Sequence, residues 1–154
     1  MYIGPATLTR TIATTPSPER CANASCTIEN SYFIFLMEIK LIVIRTEDPK
    51  RLSEFYSFLG LTFEYHSHGK SRMHYSAKIG EAILEVYPLM KDQVSSDKCL
   101  RIGLAIDDFE ERISVLRNSG VIFNLEPRDT EFGLMAVVVD PDGRKLEIYK
   151  SGTD

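Results

Sequence analysis

Short runs of aliphatic residues alternate with polar ones along this chain, and the runs come in two matching sets. Ile39 to Arg45 and Leu100 to Ile106 read as strands from their β-branched and aliphatic content. Each leads into an acidic pair, Glu47-Asp48 or Asp107-Asp108. A helical period follows: Leu52, Phe55, Tyr56 and Leu59 in the first set, Phe109, Ile113 and Leu116 in the second. Each helical pattern stops at a glycine, Gly60 or Gly120, as expected just past a helix end. Each glycine opens another strand, 61–65 or 121–125, and two more complete each set, 73–79 with 82–87 and 134–139 with 145–150. Leu84-Glu85-Val86-Tyr87 returns as Leu146-Glu147-Ile148-Tyr149. Asp140-Pro141-Asp142-Gly143 is the turn between the last two strands: Pro suits its second position and Gly supplies positive φ. It offers too few ligands for a calcium loop.

Alternation sorts the faces. Ala82, Leu84 and Val86 should meet a helix, leaving Ile83, Glu85 and Tyr87 on the other side. Leu146 and Ile148 oppose Lys145, Glu147 and Tyr149, and Leu100, Ile102 and Leu104 oppose Arg101, Gly103 and Ala105. The first strand is apolar on both faces, and the repeat aligns its Leu41 with Arg101. A hairpin turning at Gly80-Glu81 sets Ser76 opposite Glu85 and His74 opposite Tyr87; a slip of one residue would turn His74 away. Leu41, Glu85, Arg101 and Glu147 are thus expected on one concave face, ringed by Tyr87, Tyr149 and His74, with Gly103 and Ala105 leaving room for a ligand. Two facing carboxylates repel, and one is pushed toward protonation unless a cation lies between them. The planar fork of Arg101 suits that bridging role. A tyrosine-lined cleft suits a planar ligand. His66-x-His68 reads either as half of a metal site or as exposed loop histidines. Cys99 has no base placed beside it and is expected to be a small buried residue.

The strand with Glu47-Asp48, the run Phe55-Tyr56-Ser57-Phe58-Leu59-Gly60-Leu61 and the run Asp140 to Ile148 together resemble the vicinal oxygen chelate superfamily of glyoxalase I, bleomycin-resistance proteins and extradiol dioxygenases. The resemblance covers about residues 38–151. It implies an α+β fold: two βαβββ modules, about 38–90 and 99–151, forming a partly open eight-stranded mixed β-barrel around a cleft, helices outside. It also implies a homodimer. Many members hold a divalent metal at four positions, two per module. Here the resemblance matches them to Leu41, Glu85, Arg101 and Glu147. Leu offers no donor atom and Arg does not deprotonate, so two of four ligands are missing.

Composition narrows the function. The chain has 154 residues and a formal net charge of −4, so no basic excess serves a nucleic-acid backbone. No apolar run approaches the roughly 18 residues of a membrane span. Residues 1–36 show neither period, are rich in Ser and Thr, and read as a disordered or non-native extension ahead of a domain at 37–154. A transit peptide and an upstream start before Met37 are the two readings of that extension. Three cysteines, two of them in the extension, do not make a disulfide scaffold and fit the cytoplasm. The expectation is a protein that sequesters a small molecule without cofactor or metal. Glu85 and Glu147 would meet cationic groups, Arg101 anionic ones, and Tyr87 and Tyr149 would stack. The alternative is a metalloenzyme (a glyoxalase-type lyase, an epimerase or a dioxygenase) holding a divalent metal ion on His74, Glu85 and Glu147. A non-catalytic partner subunit is a third class.

Overall fold

The computed structural model describes residues 38–152, so the expected disorder of residues 1–36 lies outside the described residues. The elements are β1 (Leu41–Thr46), α1 (Pro49–Ser57), β2 (Glu64–His66), β3 (His74–Ile79), β4 (Ala82–Pro88), β5 (Ile102–Ile106), α2 (Phe109–Asn118), β6 (Ile122–Thr130), β7 (Gly133–Val139) and β8 (Lys145–Lys150). Each half of the repeat is one βαβββ unit with its own mixed sheet. The strand orders are β1-β4-β3-β2 and β5-β8-β7-β6. The parallel pairs β1–β4 and β5–β8 are the two crossovers that the helices make.

The helices start where the acidic pairs place them. Asp48 caps α1, its carboxylate accepting from the Arg51 N–H at 3.1 Å, and Pro49 takes the first turn, where a missing N–H is harmless. Gly60, three residues past the end of α1, adopts φ +92°, which a side chain would strain. Leu52, Phe55 and Tyr56 face inward from α1, and Phe109, Ile113 and Leu116 from α2. They join Ile44, Leu84, Val86, Leu146 and Ile148 in one hydrophobic cluster that spans both modules. Full burial of each such side chain stabilises by roughly 1.5–3 kcal/mol.

The register agrees with the hairpin read from the sequence: Ser76 pairs with Glu85. Other boundaries move. β2 keeps only three residues, because Leu61 and Phe63 pack against the core from a loop. β6 runs on through Pro127 to Thr130. It is an edge strand with two register shifts, where a residue lacking its N–H is tolerated. Cys99 is exposed, not buried, because β5 begins only at Ile102 and Cys99 lies in the preceding bend.

A polar clasp ties the β7–β8 turn to the end of β1. Arg144 is almost fully buried at 2% exposure. Its guanidinium donates to Asp140 at 3.1 Å, to Asp142 at 2.7 Å and to the Arg45 carbonyl at 2.6 Å. Thr46 Oγ1 donates to Asp142 at 3.0 Å, and Asp140 accepts the backbone N–H groups of Asp142 and Arg144. Tyr56 is buried beside the clasp. Burial, followed by the negative charge of Asp140, pushes its phenol well above the ordinary range.

Candidate functional site

Each sheet turns one face to the helices, and its other face carries the residues singled out by alternation. On that face of the first sheet, β1 contributes Leu41, Val43 and Arg45, in register with Ile83, Glu85 and Tyr87 of β4. Leu41, Val43 and Ile83 are exposed apolar side chains around a carboxylate that is itself only 13% exposed. His74 enters from β3, fully buried, with its ring stacked on Tyr87 at 4.0 Å between centroids. The Arg45 guanidinium lies 5.2 Å from the centroid of the same tyrosine ring. Arg45, Arg72, Tyr87, Leu89 and Met90 line a cavity of about 420 Å³ at this end of the face.

On the second sheet, Glu147 is held from both sides. Arg101 Nη1 lies 3.0 Å from one carboxylate oxygen, and the Tyr149 hydroxyl donates to the other at 2.5 Å. That hydrogen bond, then partial burial and the charge of Glu147, raise the Tyr149 phenol above its ordinary value. The Tyr149 ring covers Gly103, where an added Cβ would stand 3.2 Å from its Cε2. Gly103, with Ala105, also lines a cavity of about 310 Å³.

The seven residues singled out by alternation fall into two groups. Leu41, His74, Glu85 and Tyr87 share the first sheet, and Arg101, Glu147 and Tyr149 share the second. Arg101 pairs with Glu147, whereas the ion-pair partners of Glu85 among the described residues are His68 and His74, at 3.8 and 3.6 Å. A single arginine bridging both carboxylates is thus not what forms: Arg101 pairs with Glu147 alone, and the side chains nearest Glu85 are imidazoles. His74 stands with Glu85, and Glu147 stands with Arg101 and Tyr149. At the four positions where the superfamily resemblance implies a metal, Leu41 and Arg101 do not fit as ligands. Leu41 has no donor atom, and Arg101 already spends its charge on Glu147.

Sequence reasoning did not place Arg45 and Arg72 at the site, and it left His66 and His68 open between half of a metal site and exposed loop histidines. All of these were within reach of simple signals. Arg45 continues the i, i+2 face of Leu41 and Val43. His66 stands directly opposite His74 in the β2–β3 register. His68 is brought back over them by a tight turn, in which the Ser71 N–H donates to the His68 carbonyl at 2.9 Å and Ser71 Oγ accepts from the His68 N–H at 2.9 Å. Among the described residues, His66, His68 and His74 are the one group of three metal-ligating side chains with ligand atoms within 4.8 Å of one another.

Two mixed sheets, each a βαβββ unit from half of an internal repeat and each presenting a glutamate at the equivalent place, define a paired-module fold. Residues 38–148 match the family model described as Glyoxalase/Bleomycin resistance protein/Dioxygenase superfamily, and the chain belongs to that superfamily. No curated protein sequence matches it. Solved structures share the fold at low identity. TnmS3, an antibiotic binding protein from Streptomyces sp. CB03234, aligns at TM-score 0.63 with 20% identity over 77% of this chain and 99% of its own. A glyoxalase/bleomycin resistance protein from the same Streptomyces aligns at 0.59 with 21% identity over 73% and 99%. The oxidase ChaP-H2 aligns at 0.61 with 17% identity over 75% and 94%.

Proposed function

We propose that this protein binds a small, planar molecule on the sheet faces opposite its helices and sequesters it, without a metal at the superfamily's usual four positions. The observation that carries the reading is the exposed apolar strip of Leu41, Val43 and Ile83 beside the sheltered carboxylate of Glu85 and the ring of Tyr87. Apolar area with a few convergent polar groups is what a small-molecule site requires. Glu85 receives a cationic group, and Arg45 and Arg72 receive an anionic one. Tyr87 and Tyr149 stack on the ligand plane. TnmS3, described as antibiotic binding, supports the reading by similarity of fold. The same exposed strip suits a homodimer in which a second copy helps enclose the ligand. Among the described residues no helix is long and apolar enough to cross a membrane. The cysteine usage supports a cytoplasmic setting.

The chain has no tryptophan, so quenching of its tyrosine fluorescence reads ligand approach directly. The test titrates proflavine, a planar cation, and fluorescein, a planar anion, in the presence of a chelator. Saturable binding of at least one is expected. Tyr87→Ala should weaken it about threefold to tenfold, the ~0.5–1.5 kcal/mol of an aromatic contact. Absence of saturable binding by both, or unchanged affinity in Tyr87→Ala, would overturn the reading.

A further inference from the structure

His74 is the most constrained group on the first sheet. Its Nδ1 lies 3.0 Å from the Arg72 carbonyl oxygen. A carbonyl only accepts, so that nitrogen carries the proton and donates. In the neutral ring the other nitrogen, Nε2, then presents a bare lone pair. This Nε2 is fully buried and has no hydrogen-bond partner. The nearest charged oxygen is Glu85 Oε1 at 3.6 Å, too far for a hydrogen bond, and it too is an acceptor. Two electron-rich atoms therefore face one another in a sheltered place, where an unpaired polar atom is costly.

The same spot is approached by two further imidazoles. His66 Nε2 and His68 Nε2 stand 3.1 Å apart, and His68 Nε2 is 3.8 Å from Glu85 Oε1. A tetrahedral zinc ion with ligands at about 2.0–2.1 Å separates any two ligand atoms by about 3.3 Å. The spacings of 3.1, 3.6 and 3.8 Å lie near that edge, and the three imidazoles keep their ligand atoms within 4.8 Å of one another. The Nδ1–H···O=C bond of His74 is also the outer contact by which proteins orient a metal-ligating histidine.

We propose that His66, His68 and His74, whose ligand atoms all lie within 4.8 Å of one another, form a binding site for one divalent cation of the zinc class, with Glu85 as the carboxylate beside it. Three imidazoles suit a borderline ion such as zinc, cobalt, nickel or copper over magnesium or calcium. The ion resolves the lone-pair conflict at His74 Nε2 and pins the loop between β2 and β3 to the sheet. The site draws on β2, β3 and that loop, and shares only Glu85 with the four positions implied by family resemblance. It does not depend on the sequestration reading.

The test uses the full 154-residue chain without a histidine tag, stripped by chelator and desalted. Zinc(II) is titrated by calorimetry and cobalt(II) by visible absorption. One ion per chain is expected, with the intense cobalt bands of a tetrahedral site. His68 is exposed, so His68→Ala leaves the fold intact and should weaken zinc binding at least tenfold and abolish the cobalt bands. His66→Ala should do the same, and Cys99→Ser should change neither. Zinc should raise the melting temperature of the wild type and not that of His68→Ala. Absence of saturable binding, or binding unaltered in both His66→Ala and His68→Ala, would overturn the proposal. Dye binding under chelator reports the sequestration reading alone, so failure of one is distinct from failure of the other.

Discussion

Tyr149 shows how one contact sets the behaviour of a residue. Its hydroxyl donates to Glu147, whose other oxygen is taken by Arg101. The neutral phenol is the form that can donate, so folding favours it and the phenol titrates above its ordinary value near 10. The sign follows: the contact contributes below the unfolded phenol's pKa and fades as pH rises through the folded one. Ultraviolet difference titration of wild type against Tyr149→Phe should show this phenol ionising later than a free tyrosine. In Glu147→Gln it should fall back toward the ordinary value; an unchanged titration there would refute the assignment. Glu85, Tyr87, Glu147 and Tyr149 were legible from strand alternation and the repeat alone. The His66-x-His68 spacing was legible as half of a metal site, but its convergence on His74 and Glu85 was not, because a three-residue strand shows no period and the turn at Ser71 that brings His68 back has no strong motif.

At the scale of elements, the repeat offers a comparison within one molecule. Both helices follow an acidic residue at the capping position, Asp48 or Asp108. Only Asp48 accepts a hydrogen bond from the helix backbone; Asp108 instead holds Arg112 one turn on, at 2.7 Å. Asp48→Ala should therefore lower stability by about 1 kcal/mol, the usual value of a helix cap. Asp108→Ala should cost about 0.3–0.5 kcal/mol, the value of an exposed pair one turn apart. Urea unfolding of the two variants checks the order, and equal losses would mean the repeat is functionally symmetric here. The helices, their glycine ends and the order of strands were readable because each rests on local chemistry. The lengths of β2 and β6 were not. Leu61 and Phe63 have strand-like composition yet serve the core from a loop, and the apolar run that marks β6 ends at Leu125, whereas the edge strand continues through Pro127 to Thr130.

For the whole molecule, the two modules share one hydrophobic cluster, and the clasp at Arg144 adds a polar join between them. Asp140 and Arg144 are both nearly inaccessible, at 4% and 2%. Arg144→Met leaves two carboxylates without their cation and should destabilise by about 3–5 kcal/mol in urea unfolding, the range for breaking a buried pair. Adding Asp140→Asn should recover part of that loss, because one stranded charge is removed; no recovery would mean that the arginine acts through packing alone. The Asp-Pro-Asp-Gly sequence announced a turn, but only the structure shows that Arg144 after it reaches back across the chain. That reach also bears on how the protein is made. The Arg45 carbonyl waits for a guanidinium 99 positions later. While the ribosome is still synthesising the second module, the end of β1 and the start of α1 stand without their final partner. The first module is thus the first to emerge and the last to be secured, and a nascent chain stopped before residue 144 should be far more open to proteases at residues 45–51 than the finished protein.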